Sequence, residues 1–332
     1  MNKFDDFTVK YFKLFMEKRG NEILPGLKEL KRQVAANINK KIKYKIEEYT
    51  IPITKIKKLI DTDWVDQNVL DSSDKLDSNY KITWVHKNII HTIFIKSTKD
   101  KFDNFNDRLL ILLNILNFIH DKRNTKEDRP INMYLILTLL KKIVPTTNTV
   151  GVKNVNSGYT DFSTNEILVW REEEFEKVIF HEMIHYMDLD VRNMSFDDNE
   201  LPHEIEGPKS YYEAFTDFRG NMYHLIFVSL LTKKSVDSLF QIEYKFMKNQ
   251  ANLFNKIFNL KDWTNKKIVK QNTPAFTYYI LKYLIFKNVI ESKSLDVLER
   301  PRDLLSKILK SKFKENEYID VNSTRMTLIQ IK

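Results

Sequence analysis

An α+β fold is predicted, built as a small twisted sheet with one metal-binding helix, set between helical N-terminal and C-terminal regions. Three observations predict it. Residues 81–95 alternate in the manner of a β-hairpin, and residues 104–120 read as a buried helix. His181-Glu182-Met183-Ile184-His185 places two imidazoles four residues apart, the spacing that puts both on one helix face.

From the start of the chain, helix-like runs cover about 6–18, 26–48 and 52–60. The second carries Lys28, Lys31, Arg32, Lys40, Lys41, Lys43 and Lys45. Polar stretches at 71–74 and 77–79 mark a boundary, so residues 1–78 form a helical basic region. Residues 81–86 and 89–95 pair across a turn at Lys87-Asn88, so His86 and His91 are expected as sheet residues and not as ligands. The most apolar run, 109–119, is too short to span a bilayer and suits the buried helix. A strand follows at 131–137. Extended runs at 150–159 and 166–170 are separated by the turn formers Asp161, Ser163, Thr164 and Asn165. Glu172, Glu173, Glu174 and Glu176 then give an acidic helix start, and Phe175, Val178, Ile179 and Met183 give that helix an apolar stripe. Residues 79–200 therefore hold the sheet and the metal helix. Past a Pro/Gly-punctuated loop at 201–208, helices are expected from Tyr211 and over 221–231, 236–260 and 274–289. Residues 201–332 become a helical C-terminal subdomain with an extended run at 326–331.

The motif is the zinc-hydrolase signature H-E-x-x-H. His181 and His185 can present nitrogens to one metal, while Glu182, about 100° round the helix, stands beside it. Catalytic zinc takes three protein ligands and leaves a position for water, so a third ligand is needed. Glu213, on the helix after the loop, is the leading candidate, with Asp217 one turn further on. Its neighbours Tyr211, Tyr212, Phe215 and Phe218 point to a buried helix, where an unpaired carboxylate is costly. His203, Glu204, Glu206, Asp197 and Asp198 are the rivals. A metzincin arrangement is excluded, because Asp188 and Val191 stand where it needs Gly and His.

At these residues the chain resembles the gluzincin clan of zinc metallopeptidases, in which H-E-x-x-H is followed by a helix bearing E-x-x-x-D. Glu213-Ala214-Phe215-Thr216-Asp217 matches that second pattern. The resemblance spans roughly 150–220. It implies a zincin-like catalytic domain, Zn2+ held by His181, His185 and Glu213, and Asp217 holding a zinc histidine by its outer nitrogen. Glu182 would act as general base on zinc-bound water. The sheet would be backed by one helix, with the metal helix on its other face, and substrate would join an edge strand within 150–160 at Asn154, Asn156 and Gly158. The oxyanion donor comes from Tyr211, Tyr223, His224, Tyr278 or Tyr279, of which His224 is the choice. The 27 residues between His185 and Glu213 exceed the connection in thermolysin-like enzymes, which places the likeness at the level of the clan.

Composition bounds the setting. The chain has 332 residues, 42% of them hydrophobic, enough for one large or two modest domains. Cysteine is absent, so there is no disulfide framework and no thiol chemistry. Acidic residues interrupt the first six positions and no apolar core follows, so no signal peptide is expected. An intracellular, cytoplasmic setting is expected, or a virion if the Lys-, Asn- and Ile-rich composition reflects a large DNA virus. No membrane partner is expected. The net charge of +9 is unevenly spread. Residues 161–220 hold 16 acidic and 5 basic side chains, a net of −11 that leaves +20 on the rest. Basic peptides suit the acidic segment, and nucleic acid suits the basic flanks. Two functions follow: a zinc endopeptidase doing limited proteolysis, or a silent zincin scaffold that binds or packages nucleic acid.

Overall fold

The computed structural model describes residues 3–16, 24–38, 41–123, 129–193, 203–260, 267–310 and 318–332. In chain order the elements are α1 (Asp6–Phe15), α2 (Pro25–Ile38), β1 (Tyr44–Glu48), α3 (Ile53–Ile60), α4 (Val69–Ser73), β2 (Ser78–His86), β3 (Ile89–Ser97), α5 (Lys99–His120), β4 (Asn132–Thr138), β5 (Thr149–Val150) and α6 (Val152–Val155). Then come β6 (Gly158–Asp161), β7 (Glu166–Arg171), α7 (Phe175–Tyr186), β8 (Glu204–Glu206), α8 (Tyr212–Thr232), α9 (Val236–Ile257), β9 (Ile268–Gln271), a π-helical turn (Thr277–Leu281) running into α10 (Lys282–Ser292), and α11 (Pro301–Lys310). The fold is α+β with a mixed sheet.

Two compact units interleave in sequence. One comprises Met1–Lys31, Lys142–Val155 and Asp190–Lys332, the other Arg32–Lys141 and Asn156–Leu189. The sequence predicts boundaries between consecutive stretches instead, at 78/79 and 200/201. Long-range pairing explains the difference, because β1 bonds to β2 and draws residues from 32 onward into the sheet unit.

The sheet unit holds six strands in the order β1-β2-β3-β4-β7-β6. The β2–β3 hairpin turns at Lys87 and Asn88, both at positive φ, as the sequence pattern requires. A crossover through α5 makes β3 and β4 parallel, β7 is parallel to β4, and β6 closes the order antiparallel to β7. Tyr134, Ile136, Leu168 and Trp170 pack one face against Ile56, Leu59 and Val69 of α3 and α4. Strand alternation turns Met133, Leu135, Ile167 and Val169 to the other face. The helix α7 packs on β6 and β7 and also directly on α5. The Phe105 and Phe175 rings lie 5.7 Å apart, and Arg108 bonds Glu176 at 2.8 Å. This corrects the expected layout, in which a single backing helix and the metal helix lie on opposite faces. The two helices are neighbours, and α3 and α4 supply the cover opposite.

Two local expectations also change. Residues 44–48 are a strand and not the end of a helix, because Tyr44, Ile46 and Glu48 register with Trp84, Ile82 and Tyr80. The lysines expected on one helix are consequently dispersed. Lys41 and Lys43 precede β1, Lys45 pairs with Glu47 on it, Lys28 pairs with Asp237 at 3.2 Å, and Lys40 lies outside the described residues. The run expected to be extended over 150–159 is broken by α6, and β5 pairs with β9 in a three-stranded sheet of the helical unit.

In the helical unit α8, α9, the π-helical turn and α10 pack together, with α1 on α9 and α11 on α10. A buried polar network threads them. Lys282 Nζ donates to Asp217 Oδ2 at 2.5 Å and to the Met326 carbonyl at 3.0 Å, Asn221 donates to Glu243 at 3.0 Å, and Glu243 accepts from the Leu328 amide at 3.1 Å. Residues 323–331, expected to be extended near their end, are all buried, and Phe4 bridges Ile331. No described helix is long and apolar enough to cross a membrane.

Candidate metal centre

The chain reaches α7 through β7 and a left-handed turn at Glu174, φ 64°. Glu176 in the first turn meets Arg108 with both side chains buried, which fixes how the helix enters the layer. Every residue of α7 is buried, so the motif lies inside the protein and not on an amphipathic surface. On the face that the i, i+4 spacing selects, His181 Nε2 and His185 Nε2 stand 3.1 Å apart, their rings at 77°. Two such nitrogens approach either when one donates to the other or when both lone pairs point at one cation. In a tetrahedral zinc site with bonds of 2.0–2.1 Å, neighbouring donors are about 3.3 Å apart. The pair therefore fits two corners of such a site.

Glu182 points away from the histidines' face, toward the edge strand β6. The Thr160 hydroxyl lies 2.9 Å from its Oε2 and 3.1 Å from its backbone oxygen. Beneath it is Gly158, where an added Cβ would stand 2.6 Å from Val178 Cγ1 and 3.1 Å from Glu182 Oε1. Glycine is needed there because strand and helix approach so closely. Of the three residues expected along the substrate strand, Gly158 alone is on β6. Asn154 is buried and holds its own segment, accepting from the Gly151 amide and donating to the Ile143 carbonyl. Asn156 donates to the Trp64 carbonyl, and its own carbonyl accepts from Arg171 Nε at 2.9 Å.

In the helical unit Glu213 occupies the first turn of α8 and is buried, with its amide bonded to the Ser210 carbonyl. Asp217, one turn on, is fully buried and paired with Lys282. His224 is buried on the same helix, eleven residues beyond Glu213 and so on the same face. Among the other donor candidates, Tyr279 gives its hydroxyl to the Thr324 carbonyl, and burial pushes the Tyr223 phenol up to about 12. The rival ligands are placed otherwise. Glu204 and Glu206 are exposed on β8, and Asp197 and Asp198 lie outside the described residues. His203 is buried with its ring edge-on to Phe276.

Burial pushes the His203 imidazole down to about 4. The unfolded chain takes up this proton near 6.5 and the folded chain only near 4. The contribution to stability is thus intact above 6.5 and lost as pH falls toward 4, by up to about 3 kcal/mol. His203→Leu should flatten that part of the stability profile in denaturant melts; an unchanged slope would return the loss to other groups.

The acidic stretch is less exposed as a field than its count suggests. Within the sheet unit Glu166 pairs with Lys55, Glu172 with Lys101, Glu176 with Arg108, and Asp188 with Arg123 and Arg129. Sequence reasoning missed Thr160 and Lys282, since each meets its carboxylate through packing between elements distant in sequence. No family model matches the chain, and no solved structure matches it. Over 95 residues it is 32% identical to an uncharacterized protein, R210, of Acanthamoeba polyphaga mimivirus, a match covering 27% of this chain and 24% of that protein, so the chain spans about a quarter of that relative.

Proposed function

We propose that this protein is a zinc-dependent metallopeptidase of zincin-like architecture that performs limited endoproteolysis. His181, His185 and Glu213 would hold the metal; each is buried and each offers one ligand atom. The observation that carries the reading is the 3.1 Å approach of the two Nε2 atoms beside a glutamate that is held separately by Thr160. A bound zinc would polarise the scissile carbonyl and acidify water. The remaining work falls to side chains. Glu182, one residue from His181, accepts a proton from the attacking water and returns it to the leaving amine. Thr160 fixes the carboxylate from below, and β6, which among the described residues has a neighbouring strand on one side only, offers its edge to an extended substrate. His224 is the donor assigned to the oxyanion. Asp217 would orient a zinc histidine in addition to pairing with Lys282.

The test is metal analysis of the purified chain together with cleavage of a mixed peptide library. Cleavage that chelation abolishes and zinc restores is expected. A zinc stoichiometry in His181→Ala equal to the parent's, or cleavage indifferent to chelation, would overturn the reading.

Thr160 and Gly158 provide a finer check. Losing a hydrogen bond to a charged group costs about 1.5–3 kcal/mol, so Thr160→Val should lower kcat by roughly 10- to 100-fold with zinc content unchanged. Gly158→Ala should cost about 1–3 kcal/mol of stability through overpacking and lower kcat further, because the added carbon meets Glu182 itself. Equal kinetics in both variants and the parent would show that Glu182 needs no support from β6.

A further inference from the structure

Three of the chain's seven histidines meet at one rim of the sheet unit, away from the motif in sequence. His86 ends β2, His120 ends α5, and Asp121 caps that helix. One ligand atom from each of these three lies within 4.8 Å of the others. His86 Nε2 is 2.7 Å from Asp121 Oδ1, and His120 Nδ1 is 3.9 Å from the same oxygen. His91 is buried between, its ring 5.2 Å from that of His120, and its Nδ1 accepts from the Ile131 amide.

The tautomer of His120 follows from its other contact. Nε2 lies 3.3 Å from the Arg129 carbonyl, which can only accept, so Nε2 carries the proton. The ring nitrogen that faces the Asp121 carboxylate is therefore Nδ1, and the two ligand atoms are spaced so that one cation could lie between them. A backbone carbonyl holding the outer nitrogen of a ligating histidine is also the usual way such a ring is oriented. The position is the C-terminal end of a 22-residue helix, where the backbone dipole favours positive charge. Lys87 Nζ supplies some of that charge here, 2.8 Å from Asp121 Oδ1, from a half-exposed side chain able to swing away.

We propose that His86, His120 and Asp121 form a second, surface site for a divalent transition ion of the zinc type, which staples the β2–β3 turn to the end of α5. Two imidazoles and a carboxylate are a ligand set suited to such ions. The site is independent of the peptidase reading and shares no residue with it.

The experiment titrates the full chain, stripped with chelator, with Zn2+ and follows both stoichiometry and melting temperature. The parent should take up two equivalents. His86→Gln and Asp121→Asn, both partly exposed changes, should each remove one equivalent and the associated rise in melting temperature. Lys87→Met should bind at least as tightly as the parent, since it removes a competing cation. His181→Ala/His185→Ala should retain one equivalent that His86→Gln then abolishes. If His86→Gln and Asp121→Asn bind as the parent does, or if Lys87→Met loses the ion, the second site is wrong whatever becomes of the first. A parent that binds a single equivalent, lost in His86→Gln and kept in His181→Ala/His185→Ala, would uphold this site and overturn the peptidase reading.

Discussion

Glu182→Gln should lower peptide turnover by about 10²–10⁴-fold, the range typical of a lost general base, while zinc content and melting temperature stay at parental values. The substitution preserves size, and the amide can still accept from the Thr160 hydroxyl that now holds Oε2. It removes only the capacity to take a proton. The measurement is kcat on the best library peptide beside metal analysis of the same preparation. Turnover within a few-fold of the parent would remove Glu182 from the mechanism. Loss of zinc along with turnover would instead make Glu182 a ligand.

The second large effect belongs to Asp217. Its carboxylate and the Lys282 ammonium are both fully buried. Removing one partner leaves an uncompensated charge in the interior, at a cost of about 3–5 kcal/mol. Asp217→Ala should therefore lower the melting temperature by on the order of 10 °C. Asp217→Ala/Lys282→Met should recover most of that, because replacing both charges with apolar groups is often neutral or better. The double variant also separates two roles. With the fold restored, a zinc affinity still about 10- to 100-fold weaker would show that Asp217 orients a zinc histidine as well. Parental affinity would make it an ion-pair partner alone.

What the sequence made legible was whatever depends on neighbours within a few residues. The hairpin at Lys87-Asn88, the helix of α5, the motif helix α7 and the start of α8 near Tyr211 all follow from local periodicity and turn chemistry. The errors lie where distant segments decide. Residues 44–48 sit after a helical run and look continuous with it, yet the edge of β2 recruits them as a strand. Residues 152–155 form a helical turn whose Asn154 is held by residues 143 and 151. The same limit applies at the candidate site. His181, Glu182 and His185 declare themselves by spacing, whereas Thr160 reaches Glu182 across 22 positions and Lys282 reaches Asp217 across 65.

The burial of residues 323–331 bears on the order in which the protein is made. Tyr279, Lys282, Glu243 and Thr8 all take their partners from this stretch. The helical unit also uses residues from the first turn of α1, so its closing contacts join positions more than 300 apart. On a ribosome those contacts must wait for the last of these residues, and loop closure over such separations is slow. Every strand of the larger sheet, together with α7, has by contrast been synthesised once Leu189 is added. During translation, the sheet unit has all its parts well before the helical unit does, and the apolar faces of α8, α9 and α10 stay exposed to chaperones and to aggregation until the 323–331 segment arrives.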